Sequence, residues 1–172
     1  MKVYDGQSDT ESQTEPRRIK VGIAEYKITS GEAVLTTSGL GSCLGVAIYD
    51  LDAGVAGLVH VMLPSAEEMN DGNAAKFADA GIEVMVEAME AEGADRSAME
   101  AKVAGGSDML DFSENGSGIG VRNIETVRET LSEFGIPLAE EDVGGDHGRS
   151  VRLEARTGDF VIKSANKESV TL

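Results

Sequence analysis

Hydrophobic and polar positions in the first third of the chain form short runs that are typical of strands. The segments "IKVGIAEYKIT" and "AVLTTSG" are each predicted to form one strand. The segments "SCLGVAIYD" and "VAGLVHVMLP" are richer in Val, Ile and Leu, and the stretch "DLDAG" between them is a natural turn. The pattern therefore predicts four strands, of which the last two form a hairpin.

Helical periodicity appears later in the chain. The segment "NAAKFADAGIEVMVEAMEAEG" predicts a helix that Asn70 or Asp71 caps and that Gly93 ends, and "GVRNIETVRETLSEFG" predicts a second helix that ends at Gly135. Short strands are predicted at "AMEAKVAGG" and "AEEDVGG", and a closing hairpin at "SVRLEART" and "DFVIKS", around Thr157–Gly158. This order predicts an α/β (α+β layered) domain in which β-sheets pack with helices.

Length and composition are those of one domain. The chain has 172 residues; residues 1–18 are polar and predict a flexible tail, and residues 19–172 predict a single domain. The sequence contains no apolar run long enough to span a membrane and no apolar stretch typical of a secretory signal. One cysteine agrees with a reducing compartment. We therefore expect a cytoplasmic protein without membrane insertion.

The net charge of −16 narrows the range of partners. Such an acidic surface repels DNA and RNA, so non-specific nucleic-acid binding is not expected. Two explanations of the acidity remain: a specific basic partner, or adaptation to a salty cytoplasm in which salt screens the self-repulsion.

The only cysteine, Cys43, and one of the two histidines, His60, lie on the two strands of the predicted hairpin. On a strand, Cys43 shares a face with Gly45 and Ala47, and these small residues leave room beside the sulfur. A turn at Leu51–Asp52 places Cys43 directly opposite His60, close enough for thiol and imidazole to interact. A register slip of one residue would remove this contact.

This pair has the chemistry of a nucleophile and its base. An imidazole can take the proton of a thiol and later return it to a leaving amine. The backbone around Gly41 and Ser42 can direct N–H groups at one point, as an oxyanion hole requires, and the glycine pairs Gly105–Gly106 and Gly144–Gly145 allow close backbone approach. The alternative is that Cys43 is a small buried hydrophobe and His60 a hydrogen-bonded core histidine.

The spacing of cysteine and histidine does not match a metal site. One cysteine and two histidines are few ligands, and none of them lies at the spacing of a zinc site. We therefore expect neither a metal nor another cofactor.

Several motifs in this order resemble the CheD family, the chemoreceptor glutamine deamidases of bacterial and archaeal chemotaxis. The resemblance rests on "GLGSCLG", "HVMLP", "KVAGG", "GIGVRN" and "EDVGG", and it covers residues from about 20 to 163. It implies a fold like the catalytic domain of cytotoxic necrotizing factor-type deamidases, with β-sheets layered with helices. It also implies hydrolysis of glutamine side-chain amides on chemoreceptors to glutamate, and of glutamyl methyl esters.

The resemblance also implies roles for single residues. Cys43 is the expected nucleophile, His60 the expected general base and Thr37 the expected third member of a Cys–His–Thr triad, with Thr36 as a neighbouring alternative. Other residues in the shared motifs are expected either to position the substrate or to brace the loops: Gly105, Gly106, Arg122, Asn123, Gly144 and Gly145.

The implied partners are the cytoplasmic helices of chemoreceptors, as substrate, and a CheC-type phosphatase. Two alternatives to a protein deamidase remain. The first is a non-enzymatic adaptor that binds a chemoreceptor or a CheC-type phosphatase. The second is a hydrolase of a small amide or ester.

Overall fold

A computed structural model describes residues 17–65, 72–108, 118–164 and 167–172. Ten strands and two α-helices form these parts of the chain. In chain order they are β1 (Arg17–Lys20), β2 (Tyr26–Thr29), β3 (Ala33–Leu40), β4 (Leu44–Asp50), β5 (Val55–Val61), α1 (Ala78–Ala91), β6 (Glu100–Gly105), α2 (Ile119–Glu133), β7 (Leu138–Val143), β8 (Arg149–Glu154), β9 (Phe160–Ser164) and β10 (Val170–Thr171). Short 3₁₀ turns lie at Ala74–Lys76 and Arg96–Ala98.

The strands form two five-stranded sheets. Sheet A has the order β10-β9-β8-β3-β1, and sheet B has the order β2-β5-β4-β6-β7. One hydrophobic cluster joins sheet B to the two helices, and a second cluster joins sheet B to sheet A. Sheet B is therefore the middle of three layers, which confirms the predicted layered class of sheets packed with helices.

The side chains of β4 show how one strand serves both clusters. Leu44, Val46 and Ile48 face the helices, whereas Ala47 and Tyr49 face sheet A. Because alternate residues of a strand point to opposite faces, every residue of this central strand is buried.

The strand predictions at the N-terminal end needed correction. The segment "IKVGIAEYKIT" forms not one strand but two: β1 pairs parallel with β3 in sheet A, and β2 pairs antiparallel with β5 in sheet B. The chain changes sheets at Ala24, whose φ of 60° lies in the left-handed region. Strand β1 starts at Arg17, two residues before the predicted domain start, and residues 1–16 of the predicted tail lie outside the described residues.

The hairpin of β4 and β5 is confirmed, but its register is not the predicted one. The turn takes four residues, 51–54, and Gly54 N donates to Asp50 O at 2.9 Å. As a result His60 lies opposite Gly45 rather than opposite Cys43. The difference is two residues, and an even shift leaves every side chain on its predicted face.

Both predicted helices and the closing hairpin are present, and the predicted ends of the helices are confirmed. Helix α1 ends before Gly93, which has a φ of 105°, and α2 ends before Gly135, which has a φ of 71°. The predicted start of α1 is wrong: residues 74–76 form a 3₁₀ turn, and the α-helix begins at Ala78 after Phe77, so neither Asn70 nor Asp71, which lie outside the described residues, is its cap. Neither helix in the described ranges has the length and apolar character that a membrane crossing needs.

Asn123 joins helix α2 to both strands of the central hairpin. Its Nδ2 donates to Ser42 O, just before β4, and to Met62 O, just after β5, each at 2.9 Å. The side chain is fully buried. Because this buried amide binds a carbonyl from each loop, it fixes the helix against the two loops that leave the middle sheet.

Replacing Asn123 by alanine is expected to lower the free energy of unfolding by about 2–4 kcal/mol, because two backbone carbonyls lose their donor and a buried side chain leaves a cavity. Urea unfolding measures the change. The matched control is Glu125→Ala, an exposed position on the same helix, which is expected to change the free energy by less than about 0.5 kcal/mol. Equal stability of the two variants would contradict this role for Asn123.

Candidate active site

His60 lies on β5, between the segment that precedes β2 on one side and Gly45 of β4 on the other. Its backbone N donates to Glu25 O and its backbone O accepts from Ala24 N, both at 3.0 Å. The backbone groups of His60 therefore point away from β4, and Gly45–His60 is a non-hydrogen-bonded pair, the kind that brings opposed residues closest. A Cβ on Gly45 would meet the side chains of Leu40, Val151 and Thr37 at 3.3–3.6 Å, so the glycine lets sheet A approach this face closely.

Thr37 reaches His60 from the other sheet. Its Oγ1 lies 2.8 Å from Nδ1 of His60, and both side chains are buried. Thr37 is paired with Val151 of β8, and both residues point into the space between the sheets. Thr36, the alternative in the sequence, is paired with Arg152 and points to the outer face of sheet A. Of the two threonines, the structure thus brings Thr37 to the histidine.

The second ring nitrogen of His60 has no partner. The Nε2 atom is buried, and no atom in the described part of the chain forms a hydrogen bond with it. When Nδ1–H donates to the threonine oxygen, Nε2 carries a lone pair that is free to accept a proton.

Cys43 immediately precedes β4 and is partly buried against the cluster between the sheets. It lies on the same face of sheet B as Gly45, so its side chain is on the His60 face. In the observed register it is diagonal to His60, and diagonal positions are roughly 7–8 Å apart at the backbone, within the reach of a thiol and an imidazole that lean toward each other.

Burial keeps both groups neutral. It raises the pKa of the Cys43 thiol above its ordinary value and lowers the pKa of the His60 imidazole below its ordinary value. Both shifts disfavour the charged forms, so the resting pair at neutral pH is a thiol and a neutral imidazole.

The loop before Cys43 is held by its carbonyls. Gly41 O accepts from Ser107 N at 2.8 Å, Ser42 O from Asn123, and Cys43 O from Gly106 N at 2.9 Å. No described residue accepts from the backbone N–H of Ser42 or Cys43. These two donors next to the sulfur are thus available to an incoming oxygen.

The predicted glycine pairs lie behind this loop. A Cβ on Gly105 would come within 2.3 Å of Cys43 O, and the residue has a φ of 117°, so the strand end approaches the cysteine in a way that only glycine permits. Gly144 N donates to Gly105 O at 2.9 Å, and Gly145 O accepts from Asp108 N at 3.0 Å. Gly105, Gly106, Gly144 and Gly145 therefore form a chain of backbone contacts that ends at the Cys43 segment.

The remaining predicted residues differ in position. Both amide hydrogens of Asn123 are used by the backbone carbonyls of the Cys43 and His60 loops, whereas Arg122 is exposed on α2. Arg149, in the same region of sequence as Gly144, has its Nη2 2.9 Å from Gly144 O and 3.3 Å from Asp142 Oδ1.

Two polar residues near the site were missed by the sequence analysis. Ser107 and Asp108 follow the glycine pair, and their Oγ and Oδ1 atoms are buried without a partner among the described residues. Their backbone N–H groups bind Gly41 O and Gly145 O. The only signal in the sequence is that two polar residues directly follow a buried strand and two glycines.

Comparisons with known proteins give the family. The family model described as "CheD chemotactic sensory transduction" matches residues 62–164, more than half of the chain. A protein of Haloarcula marismortui is 66% identical and one of Natronomonas pharaonis 46% identical, each over 100% of both chains. One of Caldanaerobacter subterraneus is 42% identical over 87% of this chain and 94% of its own. All three carry the name "Probable chemoreceptor glutamine deamidase CheD".

A solved structure shares the fold. Neisseria meningitidis protein NMB0706 matches with a TM-score of 0.54 and 12% identity, over 81% of this chain and 68% of its own. The predicted likeness to cytotoxic necrotizing factor-type deamidases stays a prediction. The first two relatives fit the explanation of the acidic composition as adaptation to salt. The family match and these full-length identities show that the chain belongs to the CheD family.

Proposed function

We propose that this chain is a cysteine-dependent protein-glutamine deamidase that converts glutamines of chemoreceptors to glutamate in chemotaxis. The observation that carries the proposal is the buried hydrogen bond between Thr37 and His60, which leaves Nε2 of His60 free on the face of the sheet where Cys43 lies. The names of the three relatives support the substrate, since each is called a chemoreceptor glutamine deamidase.

The first half of the reaction makes a thioester. Sγ of Cys43 attacks Cδ of the glutamine side chain while Nε2 of His60 takes the thiol proton. The backbone N–H groups of Ser42 and Cys43 are available to bind the negative oxygen of the tetrahedral intermediate. The imidazolium then gives its proton to the amide nitrogen, the C–N bond breaks, and ammonia leaves.

The second half of the reaction releases glutamate. A water molecule gives a proton to Nε2 of His60 and attacks the thioester carbon, and the C–S bond breaks as the proton returns to sulfur. A glutamyl methyl ester follows the same path with methanol as the leaving group, so ester hydrolysis needs no further residue. Throughout, the Thr37 oxygen holds Nδ1–H, which keeps the imidazole in the tautomer that a base requires.

Two further expectations follow from the family resemblance. The reaction takes place in the cytoplasm, where the receptor segments that carry the glutamines lie. Binding of a CheC-type phosphatase stays a prediction.

Replacing Cys43 by alanine is expected to lower the rate of deamidation by at least roughly a thousandfold, because the nucleophile is lost. The measurement is mass spectrometry of receptor peptides, in which each deamidated glutamine gains about one mass unit. The variant should still bind the receptor segment. If Cys43→Ala deamidates at the wild-type rate, the enzyme is not cysteine-dependent. If the wild-type protein binds the receptor without changing its mass, the protein is an adaptor.

Replacing Thr37 by valine is expected to lower kcat roughly tenfold to a hundredfold with little change in KM, because the imidazole loses the partner that fixes its tautomer. Thr37→Ser keeps a hydroxyl and should restore most of the rate. The control is Thr130→Val, at a buried threonine of helix α2. An equal loss in Thr130→Val and Thr37→Val would show that packing rather than the hydrogen bond matters.

The neutral resting pair predicts a specific dependence on pH. Because the pKa of Cys43 is raised, the rate of its alkylation by iodoacetamide should keep rising through the alkaline range. Because burial lowers the pKa of His60, kcat/KM should begin to fall on the acid side only below pH 6.5, the ordinary pKa of histidine. An alkylation rate that reaches a plateau below neutral pH would indicate a thiolate–imidazolium pair and contradict this account.

A further inference from the structure

The outer face of sheet A, opposite the face that carries Thr37, contains a groove with a positive charge. The groove encloses about 600 Å³. Four basic side chains line it, namely Arg18 and Lys20 from β1, Arg152 from β8 and Lys163 from β9. We name this surface the basic groove.

The charge of the basic groove is opposite to that of the chain. The sequence has 31 acidic and 15 basic residues, yet no acidic residue among those described lines the groove. Glu154 lies on the same outer face, opposite Val34, at its border. A random sample of this surface would contain about two acidic residues for each basic one, so four cations without an acid form a distinct local field.

Among the described residues, the four cations of the groove also have no ion-pair partner. Elsewhere on the described surface, Arg96, Arg128 and Arg156 each form an ion pair with a glutamate. No ion pair between described residues involves a cation of the basic groove. Their positive charge is therefore available to an external anion.

The basic groove and the candidate active site share strand β3, on opposite faces of sheet A. Thr36 and Ser38 of β3 form part of its floor, and Thr37 between them points through the sheet to His60. Strand β3 then leads, through Leu40, into the loop that carries Cys43. A ligand in the groove thus lies one sheet away from the imidazole and along the strand that leads to the thiol.

We propose that the basic groove binds carboxylates of the chemoreceptor segment that carries the target glutamines, and this proposal rests on the proposed function. The reaction itself supplies the anion, because every turnover replaces a neutral amide by a carboxylate. A segment that already contains glutamates, or that has been deamidated at one position, then binds more tightly while a remaining glutamine reaches Cys43. The groove thereby favours partly modified receptors over short neutral peptides.

Electrostatics give a reason for such a groove. A chain with a net charge of −16 repels a segment rich in glutamate, and salt screens this long-range repulsion. A direct hydrogen bond between a guanidinium or ammonium group and a carboxylate leaves no room for a solvent ion between the two groups, so it weakens less with salt than the long-range repulsion does. The cations of the basic groove are therefore expected to bind a carboxylate through direct hydrogen bonds, and not to attract it over a long distance.

The test compares two substrates and two double variants. The substrates are the cytoplasmic fragment of a chemoreceptor from the same genome and a short glutamine peptide without acidic neighbours. In Lys20→Glu/Arg152→Glu, the ratio of kcat/KM for the fragment to kcat/KM for the peptide is expected to fall roughly tenfold, mainly through KM. The control, Lys27→Glu/Arg156→Glu, changes the net charge equally at exposed positions outside the groove and should leave the ratio unchanged.

Further measurements separate the outcomes. A fragment with glutamate at every modified position should inhibit the wild-type enzyme more strongly than the Lys20→Glu/Arg152→Glu variant. The docking proposal would be overturned if the Lys20→Glu/Arg152→Glu variant kept the wild-type Tm and the wild-type ratio of kcat/KM values. It would also be overturned if single-stranded RNA bound the groove more tightly than the receptor fragment does. If the wild-type protein releases no ammonia from either substrate, the proposed function itself is wrong.

Discussion

One hydrogen bond between the two sheets determines how this protein can act. Thr37 belongs to sheet A and His60 to sheet B, and their side chains meet at 2.8 Å in the buried layer between the sheets. The contact requires the sheets to approach closely, which the small residues Gly45 and Ala47 on the facing side of β4 allow. The hydrogen bond fixes one ring nitrogen and thereby leaves the other for proton transfer.

The rest of the site positions Cys43, the proposed nucleophile, on the same face of sheet B as this imidazole. Gly105 and Gly106 approach the backbone of Cys43 closely, and Asn123 binds the loops after His60 and before Cys43 with a single amide. The same packing that excludes water raises the pKa of the thiol and lowers that of the imidazole. In the proposed mechanism this neutral pair becomes charged only as the thiol attacks, and the backbone donors then stabilise the developing negative charge on the substrate oxygen.

Much of this arrangement could be predicted from the sequence, and the exceptions have physical causes. Alternation of side chains correctly predicted that Cys43 and His60 lie on one face of the sheet. The predicted register was wrong, because the turn has four residues rather than two, but a shift of two residues leaves each side chain on the same face. The choice between Thr36 and Thr37 came from the family resemblance, because the meeting of two sheets is not a local pattern. The change of sheet at Ala24 and the reach of Asn123 to two carbonyls also depend on tertiary packing that no periodicity encodes.

The tautomer of His60 tests the central claim most directly. The chain has two histidines, so two-bond ¹⁵N–¹H correlation spectra of the imidazole rings can be assigned with a His147→Gln variant. At neutral pH the account predicts that His60 carries its proton on Nδ1, with an unprotonated Nε2, and that this preference is lost in Thr37→Val. A proton on Nε2 in the wild-type protein would mean that the threonine hydroxyl donates to Nδ1, and that His60 lacks the free lone pair on which the whole mechanism depends.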